Sequence, residues 1–137
     1  MEADVPRHTR LSDYLLAVGS LCDVREYAPT GLIASEIGVS NGTASSKLKE
    51  LAGRGLVELR SYAGVKLTPE GTAIAVNARR RQQLIELFLL QTLQLPPVDV
   101  AEQAWAIEIC ISDSTLVAID DFLGKPSRDI HGDPILA

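Results

Sequence analysis

The stretch from Leu32 to Thr68 constrains the chain most. Leu32 to Ile37 reads as a short helix, Gly38-Val39-Ser40 as a tight turn, and Asn41 to Ala52 as a second helix. Gly38 suits the sharp reversal, Val39 a buried position between the helices, and Ser40 a cap for the helix that follows. Beyond Arg54-Gly55, the β-rich run Leu56 to Tyr62 is answered by Val65 to Thr68 across a turn at Ala63-Gly64. A hairpin this short is not stable alone, so it must lean on the helices as a wing. That order of elements is a winged helix-turn-helix, a unit that holds one helix in a DNA groove.

The second helix of the pair carries the candidate contacts. Ala44, Leu48 and Leu51 mark its packed face, which leaves Thr43, Ser46, Lys47 and Glu50 outward. Small polar side chains at Ser40, Asn41, Thr43, Ser45 and Ser46 let the helix N-terminus approach base edges and phosphates, and Lys47 and Lys49 neutralise phosphate. Arg60 and Lys66 are the wing's candidate phosphate contacts. A net charge of -5 argues against a DNA-binding surface unless the charge is segregated, and it is. Residues 1–40 hold three bases and six acids, residues 41–81 eight bases and three acids, and residues 82–137 two bases and nine acids. A segment of +5 therefore lies between acidic ends, the footprint of a DNA-facing stretch on an acidic protein.

The flanks read as helices. Leu11 to Glu26 places Leu11, Tyr14, Leu15, Val18, Leu21 and Cys22 along one stripe, with Ser12 as its cap and Asp13 in its first turn, a helix-dipole position worth about 0.3–1 kcal/mol. Tyr27-Ala28-Pro29 breaks that helix, and Thr30 is expected to cap the next, with Leu32, Ile33 and Ile37 inward. Thr68-Pro69-Glu70 opens a long helix running to about Leu90, because Thr68 caps, Pro69 fits the first position and Glu70 favours the positive end of the dipole. Arg79-Arg80-Arg81 along it is assigned to neither DNA nor an acid-paired face. After Leu95-Pro96-Pro97, Asp99 and Glu102 form a capping box for a helix from Val100 to Ile111, and Ser112 caps a last helix from Asp113 to Leu123 that Gly124 and Pro126 stop. The apolar residues of this tail, Trp105, Ile109, Val117 and Phe122 among them, exceed what one thin helical layer can hide, and a dimer interface is their natural sink.

Other classes are disfavoured. The apolar run around Leu87 to Leu95 is too short for a bilayer span, and Met1-Glu2-Ala3-Asp4 carries acids where a secretory signal carries positive charge, so a cytoplasmic location is expected. Cys22 and Cys110 sit in helical stretches outside any zinc spacing and read as buried thiols. No nucleophile–base pair or phosphate loop is visible, so an enzyme is not expected.

Leu67-Thr68-Pro69-Glu70-Gly71, the run Arg81-Gln82-Gln83-Leu84-Ile85-Glu86-Leu87-Phe88-Leu89, Glu108, Ser112, and His131-Gly132-Asp133-Pro134-Ile135, in that order, resemble the diphtheria-toxin-repressor family of iron- and manganese-dependent repressors. The resemblance covers nearly the whole chain. It implies a mainly α fold, with residues 1–68 as a winged helix-turn-helix DNA-binding domain and residues 69–137 as a helical dimerisation and metal-binding domain. It also implies a homodimer on a palindromic double-stranded operator. The chain stops where longer members continue into an SH3-like domain.

In that family a divalent metal such as manganese or iron links the first helix to the dimerisation domain and sets the spacing of the DNA-binding heads. Carried over, the ligands are Asp13, Glu86 and Glu108. The histidines and the soft ligand are missing: Gln82 stands for the long-helix His, Ala101 for an accessory His, Trp105 for the Cys or Glu, and Ile109 for the His paired with Glu108. Three carboxylates and an amide favour harder cations and bind less tightly, and Trp105 with Ile109 is expected to fill the pocket. Neither His8 nor His131 matches a ligand position, though either can reach in from an end of the chain. The expected protein is thus a homodimeric regulator whose metal control is weakened, altered or lost. The alternatives are a winged-helix scaffold that binds protein, or a fully metal-responsive repressor with non-standard ligands.

Overall fold

The computed structural model describes residues 9–136; His8 and the acidic N-terminus discussed above lie outside that range. The chain forms two compact units, one ending at Val76 and the other starting at Asn77. The elements run α1 (Leu11–Cys22), α2 (Thr30–Ile37), α3 (Asn41–Gly53), β1 (Val57–Arg60), β2 (Gly64–Leu67), α4 (Pro69–Leu87) with one π-helical turn over Phe88–Thr92, α5 (Pro97–Glu108) and α6 (Asp113–Phe122). This is the mainly α, winged helix-turn-helix architecture expected, followed by a helical unit. No helix among the described residues is long and apolar enough to cross a membrane.

The first unit is organised by local sequence signals. Gly38 takes a left-handed φ of 86° and ends α2, and Ser40 caps α3 by accepting the Thr43 N–H at 3.1 Å. Leu15, Val18, Ile33, Ala44, Leu48 and Leu51 are all at most 1% exposed and form the core between the three helices. The wing closes over this core through Leu56, Val57 and Val65. β1 and β2 pair antiparallel, Val57 opposite Leu67 and Arg60 opposite Gly64. Ala28 adds a bridge to Val65, with N–H···O distances of 2.7 and 2.9 Å in the two directions.

The junction into α4 explains Leu67-Thr68-Pro69-Glu70-Gly71. The Thr68 hydroxyl accepts the Gly71 N–H at 3.1 Å and donates to the Gly55 carbonyl at 2.7 Å, fastening the helix start to the wing. A Cβ on Gly71 would run into the Leu56 carbonyl, a backbone atom that cannot step aside. Gly71→Ala is therefore expected to cost about 2–3 kcal/mol or more, against about 1 kcal/mol for Gly38→Ala, where the space is open and only the φ is unfavourable. Urea unfolding of the two variants checks the ranking, and equal losses would contradict the steric account.

Several boundaries differ from expectation. α1 stops at Cys22, because Asp23 to Glu26 must lead the chain to the Ala28–Val65 bridge. Its start is held by Asp13, whose carboxylate accepts the Arg10 N–H at 2.9 Å, and Ser12 lies inside the helix. Pro29 takes the cap position of α2 and Thr30 is helical, while Leu32 is 41% exposed instead of inward. α5 begins at Pro97 and ends at Glu108; Pro96 occupies its cap without a side-chain hydrogen bond, so Asp99 and Glu102 fall within the helix. Proline at the first helical position starts this helix instead of only stopping the last one. Cys110 lies in the turn after α5 and is exposed, and Cys22 is half-buried at the end of α1, where desolvation raises its thiol pKa.

In the second unit Leu84, Ile85, Leu89, Val100, Ala104 and Leu116 form the core, with Ile107, Ile111, Ile119, Leu123, Ile130 and Ile135 packed around it. Much of the apolar tail is therefore satisfied within one chain, leaving Ile109, Val117 and Phe122 at 63%, 58% and 68% exposure. Ile109, expected to fill a pocket with Trp105, is thus exposed among the described residues, whereas Trp105 is buried.

Candidate nucleic-acid interface and metal ligands

α3 is held by its apolar stripe so that its other face meets solvent. Asn41, Thr43, Ser46, Lys49 and Glu50 are exposed, and Ser45 and Lys47 are half-buried. Two of the candidate contacts also shape the helix: the Ser40 hydroxyl, besides capping, donates to Thr43 Oγ1 at 2.9 Å. Lys47 is engaged by Glu50 one turn on, Nζ to Oε2 2.9 Å, and that hydrogen bond holds the Glu50 carboxyl below its usual pKa.

The wing side chains form a second cluster. Tyr27, from the linker between α1 and α2, carries Lys66 Nζ 5.2 Å and Arg60 Cζ 5.7 Å from its ring centroid, within cation–π range. Arg60 also donates to the Tyr27 hydroxyl at 3.4 Å, and Lys66 lies 3.7 Å from Glu58. Tyr27 raises the Arg60 pKa, and Glu58 followed by Tyr27 raises that of Lys66, so both cations stay charged. A groove of about 420 Å³ runs between this wing and α3, lined by Ser45 and Lys49 on one side and by Arg60, Ser61 and Tyr62 on the other. Sequence reading missed Tyr27, because its role depends on two strands more than thirty residues away.

The residues assigned to metal have partners of other kinds. Asp13 is 7% exposed and closes the first turn of α1. Glu108, 9% exposed, faces Arg81 with Oε1 to Nε 3.4 Å. The same guanidinium reaches Asp113 at 2.9 Å and the carbonyls of Glu108 and Ile111 at 2.8 Å each. Arg80 pairs with Asp120 and Arg79 with Asp133, both at 3.2 Å, so the arginine triplet is an acid-paired face.

Glu86 is the exception. Its Oε2 lies 3.8 Å from His131 Nε2. Burial raises its pKa, the His131 imidazole opposes that, and Asp129 adds to it. Partial burial works against ionisation of Asp129 too, but hydrogen bonds from Gln83 and from the backbone N–H groups of Asp133 and His131 outweigh it and hold its carboxyl low. The sequence reading matched His131 to no ligand position while allowing it to reach in, and did not single out Asp129, which lies two residues before the His131-Gly132-Asp133-Pro134-Ile135 motif. Among the described residues no group of three or more His, Cys, Asp or Glu side chains is arranged to hold a metal ion. Within the second unit, Glu108 faces the Arg81 guanidinium, whereas Glu86 stands beside the His131 imidazole.

Comparison with known proteins accords with this architecture. A family model described as the metal-binding and dimerisation domain of iron-dependent repressors matches residues 68–137. The transcriptional regulator MntR of Escherichia coli O157:H7 is 35% identical over 121 residues, which are 87% of this chain and 76% of that protein. The iron-dependent repressor IdeR of Mycobacterium tuberculosis (strain H37Rv) is 26% identical over 119 residues, 85% of this chain and 52% of the relative. A solved manganese-dependent transcriptional repressor in complex with manganese is similar at a TM-score of 0.80 and 36% identity, over 93% of this chain and 59% of that one. The metal-dependent transcriptional regulator MtsR is similar at a TM-score of 0.85 and 25% identity, over 92% and 59%. The chain thus spans about three fifths of these solved relatives.

Proposed function

The chain belongs to the iron-dependent repressor family, and we propose that it is a homodimeric, sequence-specific DNA-binding transcriptional regulator acting on a palindromic operator. The observation that carries this reading is the face of α3: Thr43, Ser46 and Lys49 exposed over a core-packed stripe of Ala44, Leu48 and Leu51. Residues 1–68 serve as the DNA-binding head and residues 69–137 as the dimerisation domain, a division supported by the span of the family match. The exposed Ile109, Val117 and Phe122 supply apolar surface for a second copy. Two heads so joined must match half-sites roughly 34 Å apart, or a multiple of that.

Metal control, in this reading, is weakened, altered or lost. Gln82 at the histidine position and the guanidinium on Glu108 support it, since carboxylates with one amide bind iron- or manganese-like ions less tightly than imidazole and thiolate do. One observation favours a second reading, metal response through other ligands: Glu86 beside His131, with Asp129 in reach of both electrostatically.

Titration with manganese, ferrous iron and zinc, following emission of the sole tryptophan, Trp105, distinguishes the two. Binding to a selected operator duplex is then measured with and without a chelator. Weakened or lost control predicts little change in emission and operator affinity within about threefold in chelator. Tight stoichiometric quenching coupled to DNA affinity, abolished by His131→Ala, would instead establish the second reading.

A further inference from the structure

One face of the wing is charged. Glu58 and Arg60 lie two residues apart on β1 and so share a face, and Lys66 pairs with Glu58 across the hairpin on that same face. The Ala28–Val65 bridge adds a third extended stretch antiparallel to β2, and its register sets Tyr27 across from Lys66. A half-buried aromatic ring thus lies against charged side chains, with the Arg60 guanidinium and the Lys66 ammonium both in cation–π range of it. The two cations are not held alike. Glu58 answers Lys66 at 3.7 Å, whereas Arg60 is held by Tyr27, through the ring and a 3.4 Å bond to its hydroxyl, with no carboxylate at ion-pair distance among the described residues.

We propose that Tyr27 is a positioning residue for DNA binding that acts through Arg60: its ring fixes the guanidinium on the charged face of the wing before DNA arrives. The inference rests on the DNA-binding reading above and adds to it a residue from the linker between α1 and α2, outside both the wing and α3. An exposed arginine loses side-chain entropy when it is ordered on phosphate. A guanidinium already resting on a ring has given up part of that freedom in the free protein, so binding costs less. The ring and not the hydroxyl carries the effect, because a 3.4 Å hydrogen bond is long, while 5.7 Å from the centroid lies within cation–π reach. Tyr27 brings no charge of its own, so it changes affinity without changing the number of phosphates neutralised.

The test is a double-variant cycle on a duplex enriched by the wild-type chain from a random-sequence pool. Wild type, Tyr27→Leu, Tyr27→Phe, Arg60→Ala and the double variant Tyr27→Leu, Arg60→Ala are compared for affinity across a salt series, with melting temperature as the folding check. Tyr27→Leu is expected to lose about fivefold or more in affinity, the scale of one surface cation–π contact in each of two heads. Its salt slope stays that of the wild type, whereas Arg60→Ala flattens the slope by about 1.8. Tyr27→Phe restores affinity, and Tyr27→Leu costs nothing further once Arg60 is alanine. Proton NMR of the free protein gives a signature that needs no DNA: the Arg60 δ-methylene protons lie upfield under the ring current in wild type and in Tyr27→Phe. Random-coil shifts there in the wild type would overturn the proposal even if Tyr27→Leu failed to fold. So would unchanged affinity in Tyr27→Leu, or an equal loss with and without Arg60, and both leave the DNA-binding reading intact. A wild-type chain that enriches no duplex would overturn both.

Discussion

Replacing Arg81 with methionine is expected to lower the stability of the second unit by about 3–5 kcal/mol, the scale of breaking a buried ion pair from one side. Arg81 is 8% exposed and its guanidinium serves four acceptors at once: the Glu108 and Asp113 carboxylates and the Glu108 and Ile111 carbonyls. The Asp113 contact is the shorter of the two ion pairs, yet its carboxylate is 98% exposed, so water replaces that partner at little loss. Glu108 differs, because its side chain is only 11% exposed and would lose the guanidinium that faces it. The Glu108 carbonyl at the end of α5 and the Ile111 carbonyl in the turn after it lose a donor in the same step. The double variant Arg81→Met, Glu108→Leu is expected to recover most of the loss, since replacing both members of a buried pair by apolar side chains is often neutral. Urea unfolding followed through Trp105 measures both, and a loss below 1 kcal/mol in the single variant would show that the cluster is not a stability element.

The features legible in the sequence were those decided by neighbours along the chain. Ser40, Thr68 and Ser112 cap the helices assigned to them, with Thr43, Gly71 and Thr115 as the donors, and Gly38 turns the chain where the helix pair needs it. The same local rules erred where a distant partner intervened. Asp23 to Glu26 can continue a helix, but the Ala28–Val65 bridge requires extended chain soon afterwards, and a partner 37 residues downstream is not visible in a window of ten. Arg79-Arg80-Arg81 had no local reading because each partner lies on a later element: Asp133, Asp120, and Glu108 with Asp113. The candidate site divides the same way. The exposed face of α3 follows from its own periodicity, whereas the neighbours of Glu86 come from the last ten residues, which carry no periodic signal. Charge needed the structure as well. The +5 of residues 41–81 counts three arginines that serve the second unit, so fewer cations are free for phosphate than the composition suggests.

That count sets the largest functional effect. Within the first unit Lys47 is shared with Glu50 and Lys66 with Glu58, while Lys49 and Arg60 line the groove without a carboxylate at ion-pair distance among the described residues. Arg54, at the end of α3, does not line the groove; the two unshared cations that do line it in each head give four per dimer, and counterion release then predicts a log–log salt slope of about -3.6. Between 50 and 200 mM salt, affinity for a selected duplex falls roughly 150-fold on that slope. If Lys47 and Lys66 counted equally, the slope would be about -7 and the loss on the order of 10⁴-fold. Lys49→Ala removes one cation from each head and is expected to flatten the slope by about 1.8, whereas Lys47→Ala changes it little, because Glu50 already neutralises that lysine. Glu50→Gln should act in the opposite sense, freeing Lys47, tightening binding at low salt and steepening the slope. Fluorescence anisotropy of a labelled duplex across the salt series provides the four slopes. Equal slopes for Lys49→Ala and Lys47→Ala would mean that DNA displaces the Lys47–Glu50 pair on binding, and a slope near zero in the wild type would remove phosphate contact from this face altogether.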